Sequence, residues 1–151
     1  MQPTMQRPAD VHDWLIANDQ LPVTTLTDPI VDLTGFDARS AYVETYWLGL
    51  LGPSCVLAAR RLAAWLEAEP AGFEISLVAL AGTLGLGSGT GRHAPIVRTL
   101  SRLVDFHIAS IADTYSIRRT FPPLSSRQIA RLPNHLAAAH ANDRTAEVMR
   151  R

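Results

Sequence analysis

A chain of 151 residues with 47% hydrophobic content and a formal net charge of zero is long enough for one compact domain with extensions, and too short for a second large one. All fourteen basic residues are arginine, which excludes chemistry that needs a lysine, such as a P-loop or a Schiff base. Cys55 is the one cysteine, so neither an internal disulfide nor a cysteine-based zinc site is available.

Charge is unevenly placed: residues 1–50 hold two arginines against seven acids, and residues 88–151 hold ten arginines against four acids. The acidic N-terminal third and the basic C-terminal half are therefore expected to do different things. No apolar run approaches the roughly 18 residues of a membrane span, and MQPTMQRPAD lacks the apolar core of a secretion signal. A soluble, cytoplasmic protein is expected, with no membrane partner.

In chain order, residues 1–9 read as a mobile tail, and Asp10 can cap a short helix to about Ala17. LPVTTLTDPIVDLTGFD reads as an extended loop with a possible short strand at Ile30 to Leu33, because Pro22, Pro29 and Gly35 interrupt it. From Ser40, the helical spacing of Tyr42, Tyr46, Trp47, Leu50 and Leu51 holds until Gly52-Pro53 breaks it. That aromatic cluster fits a packed core better than a ligand pocket. PSCVLAARRLAAWLEAEP is the clearest helix, with Cys55, Ala58, Ala59, Leu62, Trp65 and Leu66 on one face, and Phe73 to Ile75 alternate like a short strand.

Ser76 can cap a helix of about nine residues that Gly85 stops. The turn GLGSGTG suggests nucleotide binding; the dinucleotide spacing fails from Gly85 and Gly87, and although from Gly89 it lands on Ala94, a tolerated variant, a helix and not a strand precedes the turn. A flexible turn remains, in which amides beside Arg92 could meet a phosphate. Pro95 suits the first turn of a helix spanning 95–107, with Ile96, Val97, Leu100, Leu103 and Val104 on its apolar face and Arg98 and Arg102 on the other. Residues 108–111 and 115–121 read as a hairpin joined through Ala112-Asp113-Thr114. After Pro122-Pro123, Ser125 or Ser126 caps a short helix, and Pro133 restarts an alanine-rich one whose polar end, from His140 on, is expected to fray.

The segments YWLGLLGPS at 46–54, LVALAGTLGLG at 77–87, GRHAPIVRTLSRLVDF at 91–106 and RRTFPPLSSRQIARLP at 118–133 resemble the winged helix-turn-helix superfamily. The span from about 46 to 140 is similar to uncharacterised winged-helix proteins of GC-rich bacteria. Ala94 departs from the pattern, since a capping serine, threonine or aspartate is usual before such a helix. The resemblance implies a mainly α fold with a small β-hairpin wing and extra N- and C-terminal helices. It divides the chain into an N-terminal extension (1–39), a winged-helix domain (40–124) and a C-terminal helical extension (125–151).

A transcription regulator bound to double-stranded DNA is the expectation from these features. Helix 95–107 would enter the major groove and the 108–121 hairpin would act as the wing, with Arg92, Arg98, Thr99, Arg102 and Arg118 as contacts. The competing reading is a winged-helix protein-protein interaction module, favoured by the zero net charge and the aromatic cluster. Asp105 and His107 point in different directions on a helix and no nucleophile motif accompanies them, so no catalytic residue is expected. His135 and His140 are five apart and share no helical face, so no metal site is expected, and no cofactor either. A homodimer through the terminal helices is favoured, and the sequence does not specify an effector.

Overall fold

In the computed structural model, which describes residues 10–150 with side chains to Arg144, helices and short strands are interspersed along the chain. The expected tail at 1–9 lies outside the described residues. Helix α1 (Val11–Ala17) begins where the Asp10 carboxylate accepts the amides of His12 and Asp13. Strand β1 (Gln20–Thr25) follows, then α2 (Pro29–Thr34) and β2 (Phe36–Asp37). A π-helical turn at Val43–Trp47 runs into α3 (Leu48–Leu51), and Gly52, at φ 88°, breaks the chain direction before α4 (Pro53–Ala68). Next come β3 (Phe73–Ser76), α5 (Leu77–Thr83), α6 (Pro95–Asp105), β4 (Ala109–Ile111), β5 (Tyr115–Ile117) and β6 (Thr120–Phe121). The chain closes with α7 (Ser126–Ile129) and α8 (Asn134–Arg150), the latter helical through the segment expected to fray.

The expected architecture, a mainly α winged helix with one small hairpin, is corrected by the sheet. Strands β4 and β5 do pair as an antiparallel hairpin, with Ala109 opposite Ile117 and Ile111 opposite Tyr115. They do not form a free wing, because the hairpin belongs to a four-stranded mixed sheet of order β3-β1-β5-β4. β1 lies between β3, to which it is antiparallel, and β5, to which it is parallel. β6 leaves this sheet and pairs with β2, Phe36 opposite Phe121.

β1 was hidden in the sequence by Pro22, which has no N–H for a ladder and argues against an interior strand. The register removes the conflict. Pairing with β5 starts only at Val23, so Pro22 lies where β1 has β3 alone beside it. The Ile30 to Leu33 segment, expected as extended, is helical because Asp28 caps it, accepting from the amides of Ile30 and Val31, and Pro29 preorganises its first turn.

α4 and α6 pack against each other, and α6 also meets β4 and α1. Leu21 and Val23 of β1, Tyr115 and Ile117 of β5, and Leu62, Leu66, Leu100 and Leu103 are all fully buried. The Tyr115 hydroxyl donates to the Leu100 carbonyl at 2.8 Å, joining the sheet to α6. Trp47 packs edge-on against Phe121 at 5.5 Å and its indole N–H donates to the Pro122 carbonyl at 3.2 Å. The aromatic cluster is thus core, and no helix among the described residues is long and apolar enough to cross a membrane.

Among the described residues, both terminal helices bury side chains against the rest of the chain. α1 buries Leu15. α8 is held by His140, which is 4% exposed and whose Nε2 lies 2.6 Å from the Tyr42 hydroxyl. That hydroxyl also accepts the Leu124 amide at 3.0 Å, and the direction of its bond with His140 is set by the imidazole tautomer. The Tyr46 hydroxyl donates to Asp143 one turn further along, and Arg144 lies 5.7 Å over the Phe36 ring.

Burial, reinforced by Arg144, pushes the His140 pKa below its ordinary value of 6.5, with Asp143 opposing. The folded state therefore holds the proton less tightly than the unfolded chain. The His140 contribution is complete above about pH 6.5 and is lost as pH falls below it, until the folded pKa has been passed. Thermal melts from about pH 7.5 down to about pH 5.5 should show a falling midpoint, and His140→Gln should flatten that part of the profile. Separately, Val23→Asp would bury a carboxylate between two strands, at a cost of about 3 kcal/mol or more. Urea denaturation should show that loss, whereas a β1 carried as a detachable extension would leave the midpoint unchanged.

Candidate functional site

α6 carries the residues expected to contact a ligand, and its sequence explains its faces. Pro95 occupies the first turn, while Ala94 supplies no side-chain cap. Seven of the helix's residues, Ile96, Val97, Thr99, Leu100, Ser101, Leu103 and Val104, are buried. Pro95, Arg98, Arg102 and Asp105 form the exposed stripe. This stripe is narrow for a helix that must lie in a major groove, because α1 and the start of α4 close in on its two sides.

Between these walls lies a groove of about 410 Å³, whose polar lining is His12, Ser54, Arg98, Thr99, Ser101, Arg102 and Asp105. Three of the five expected contacts, Arg98, Thr99 and Arg102, are therefore brought together. Thr99 is turned towards α4, its hydroxyl donating to the Ser54 hydroxyl at 3.1 Å, and it is 5% exposed. It shapes the wall and cannot reach outwards to a base edge.

Arg102 has an internal role. Its Nε donates to the Leu51 carbonyl at 2.9 Å and one Nη to the Leu50 carbonyl at 2.7 Å, capping the C-terminus of α3. Its guanidinium also lies 5.0 Å over the Phe106 ring. Arg98 differs: it is exposed and, among the described residues, its side chain makes no hydrogen bond or ion pair.

The other two expected contacts lie elsewhere. Arg92 forks onto α1, with one Nη 2.5 Å from Asp10 and the other 2.6 Å from Asp13. That hydrogen bond from Arg92 leads the causes holding the Asp10 carboxyl below the usual carboxylate range. Arg118 donates through Nε to the His107 carbonyl at 2.9 Å and reaches Asp28 at 3.4 Å, with a side chain 15% exposed. It lines a second concavity, beside Val104 and Ser110. Arg118 follows β5, which ends at Ile117, and its side chain is turned back onto the His107 carbonyl and Asp28.

Three residues of the groove had no functional reading in the sequence. Ser101 lies beside the exposed stripe, three residues after Arg98, a spacing that could have identified it. Ser54 and Cys55 begin α4, where the cap residue Gly52 supplies no side-chain hydrogen bond. A long helix starting Gly-Pro-Ser leaves first-turn amides to be satisfied by something else, which is the signal that was available. Burial pushes the Cys55 thiol up to about 11, so it is a neutral thiol at physiological pH and no ready nucleophile. Guanidinium, hydroxyl and helix N-terminus together suit the holding of an anion. Comparison with protein-family models, curated proteins and solved structures finds no match to this chain.

The different work of the two α6 arginines can be separated by measurement. Arg102→Ala should cost about 1 to 2 kcal/mol in urea denaturation, because two carbonyls lose charge-assisted donors at a partly exposed site. Arg98→Ala should stay within about 0.5 kcal/mol of the parent, as expected of a surface residue without partners.

Proposed function

We propose that the protein binds double-stranded DNA as a regulator, through the exposed stripe of α6, with contacts made chiefly to backbone phosphates. The observation that carries this reading is Arg98: a guanidinium presented to solvent without an internal partner, beside a second arginine and above a hydroxyl-lined groove. Arginine contacts of this kind supply affinity and register on a duplex. The narrowness of the stripe favours phosphate contact over base reading, since only Arg98, Arg102 and Asp105 project from it beyond Pro95. The basic balance of residues 88–151 adds a long-range attraction that the acidic first fifty residues partly cancel.

A fluorescence-anisotropy salt series on duplex DNA tests the reading. Binding should weaken linearly in log salt, and Arg98→Ala should weaken it about equally on unrelated sequences while lowering the salt slope by about one. Absence of binding at low salt, or equal affinity for the parent and Arg98→Ala, would refute it.

A further inference from the structure

We propose that the groove between α6, the start of α4 and α1 is a seat for one tetrahedral oxyanion, the phosphate group of a phosphate ester. The proposal deepens the DNA-binding reading and rests on it only for the source of the phosphate, a backbone phosphodiester as opposed to a free phosphorylated molecule.

Two independent observations point to the same place. The first is the N-terminus of α4, a 16-residue helix. Its cap residue offers no side chain, Pro53 has no N–H, and the Val56 amide is taken by the Gly52 carbonyl at 3.2 Å. Ser54 and Cys55, whose amides complete that first turn, both line the groove. A helix start of this kind presents N–H donors and the positive end of the helix dipole to an anion.

The second observation is Ser101, on the opposite flank of the same groove. It is 5% exposed, lines the groove, and its hydroxyl has no hydrogen-bond partner among the described residues. Among the described side chains only Arg60 Nη1 is buried without a hydrogen-bond partner, so the Ser101 hydroxyl opens into the groove. With no protein partner, it is a donor open to an acceptor that enters the groove.

Arg98 stands between these flanks. It supplies a planar fork suited to two oxygens of a phosphate. Arg102, held by the Leu50 and Leu51 carbonyls, contributes charge from a fixed position. Thr99 and Ser54 bond each other and complete the hydroxyl wall. His12 is drawn towards Asp10, with Nδ1 3.5 Å from its carboxylate. Asp105 lies about 10 Å along the helix from Arg98 at 1.5 Å per residue.

The test is a titration of the isotopically labelled full chain with inorganic phosphate and with sulfate, read by amide chemical shifts at constant ionic strength with chloride as control. Saturable shifts at Ser54, Cys55 and residues 98–102 are expected with both oxyanions and not with chloride. Ser101→Ala and Arg98→Gln should each weaken the apparent affinity several-fold, whereas Arg131→Gln, on a distant exposed residue, should not. Shifts that fail to saturate, that appear equally with chloride, or that persist unchanged in both groove variants would overturn the seat. Duplex DNA added in the same experiment separates the two proposals. If DNA binds without moving the Ser54, Cys55 and Ser101 amides, the seat falls and the DNA reading stands. If phosphate saturates those amides and DNA does not bind, the seat stands for a free phosphorylated molecule and the DNA reading falls.

Discussion

Much of the structure depends on one strand being hydrogen-bonded on both sides. β1 comes from the first thirty residues and lies between β3 and β5, with Leu21 and Val23 fully buried. A strand in that position cannot be released without exposing its core face and freeing ladder groups on two neighbours. Its position fixes what is attached to it. α1, immediately before β1, is laid along α6, and α2, immediately after it, is carried to the side of β6. Asp10 and Asp13 are thereby within reach of Arg92, and Asp28 within reach of Arg118. The acidic and basic ends of the sequence meet in these pairs, so the charge asymmetry along the chain is partly cancelled in space.

The arginines show why a charge count along a sequence does not map a surface. A guanidinium has five donors, and folding matches them to whatever acceptors are near. Arg102 found the carbonyls at the end of α3, Arg118 found His107 and Asp28, and Arg92 found the acids of α1. Arg98 alone of the five expected contacts kept its donors for solvent or a ligand, and Thr99 turned inwards. What remains on α6 is a narrow stripe over a polar groove. Such a surface can grip a phosphate more readily than it can read a run of bases.

The C-terminal helix illustrates the same economy with neutral groups. Tyr42 is stacked on Phe36 at 3.7 Å, accepts from Leu124 and hydrogen-bonds His140, so one hydroxyl ties together the π-helical region, the chain after β6 and α8. In the π-helical turn the neighbours Tyr46 and Trp47 are both buried, one towards α8 and the other towards Phe121.

The sequence by itself determined the features whose causes are local. Ser76 capping α5, Pro95 opening α6, Gly52-Pro53 separating α3 from α4, Ser125 capping α7 and the hairpin turning through 112–114 each depend on a few adjacent residues, and all were legible. The stripe containing Arg98 was legible for the same reason, because helical period alone places it opposite the apolar face. Tertiary structure decided everything that needed a distant partner. β1 pairs with residues about fifty and about ninety positions away, and no local pattern announces such a partner, least of all in a segment interrupted by proline. The fates of Arg92, Arg102 and Arg118 were settled likewise, by carbonyls and carboxylates that only the folded chain brings within about 3 Å. Local propensity acts over a few residues, whereas strand pairing and the satisfaction of buried donors act through space, and the groove on α6 is a product of the second.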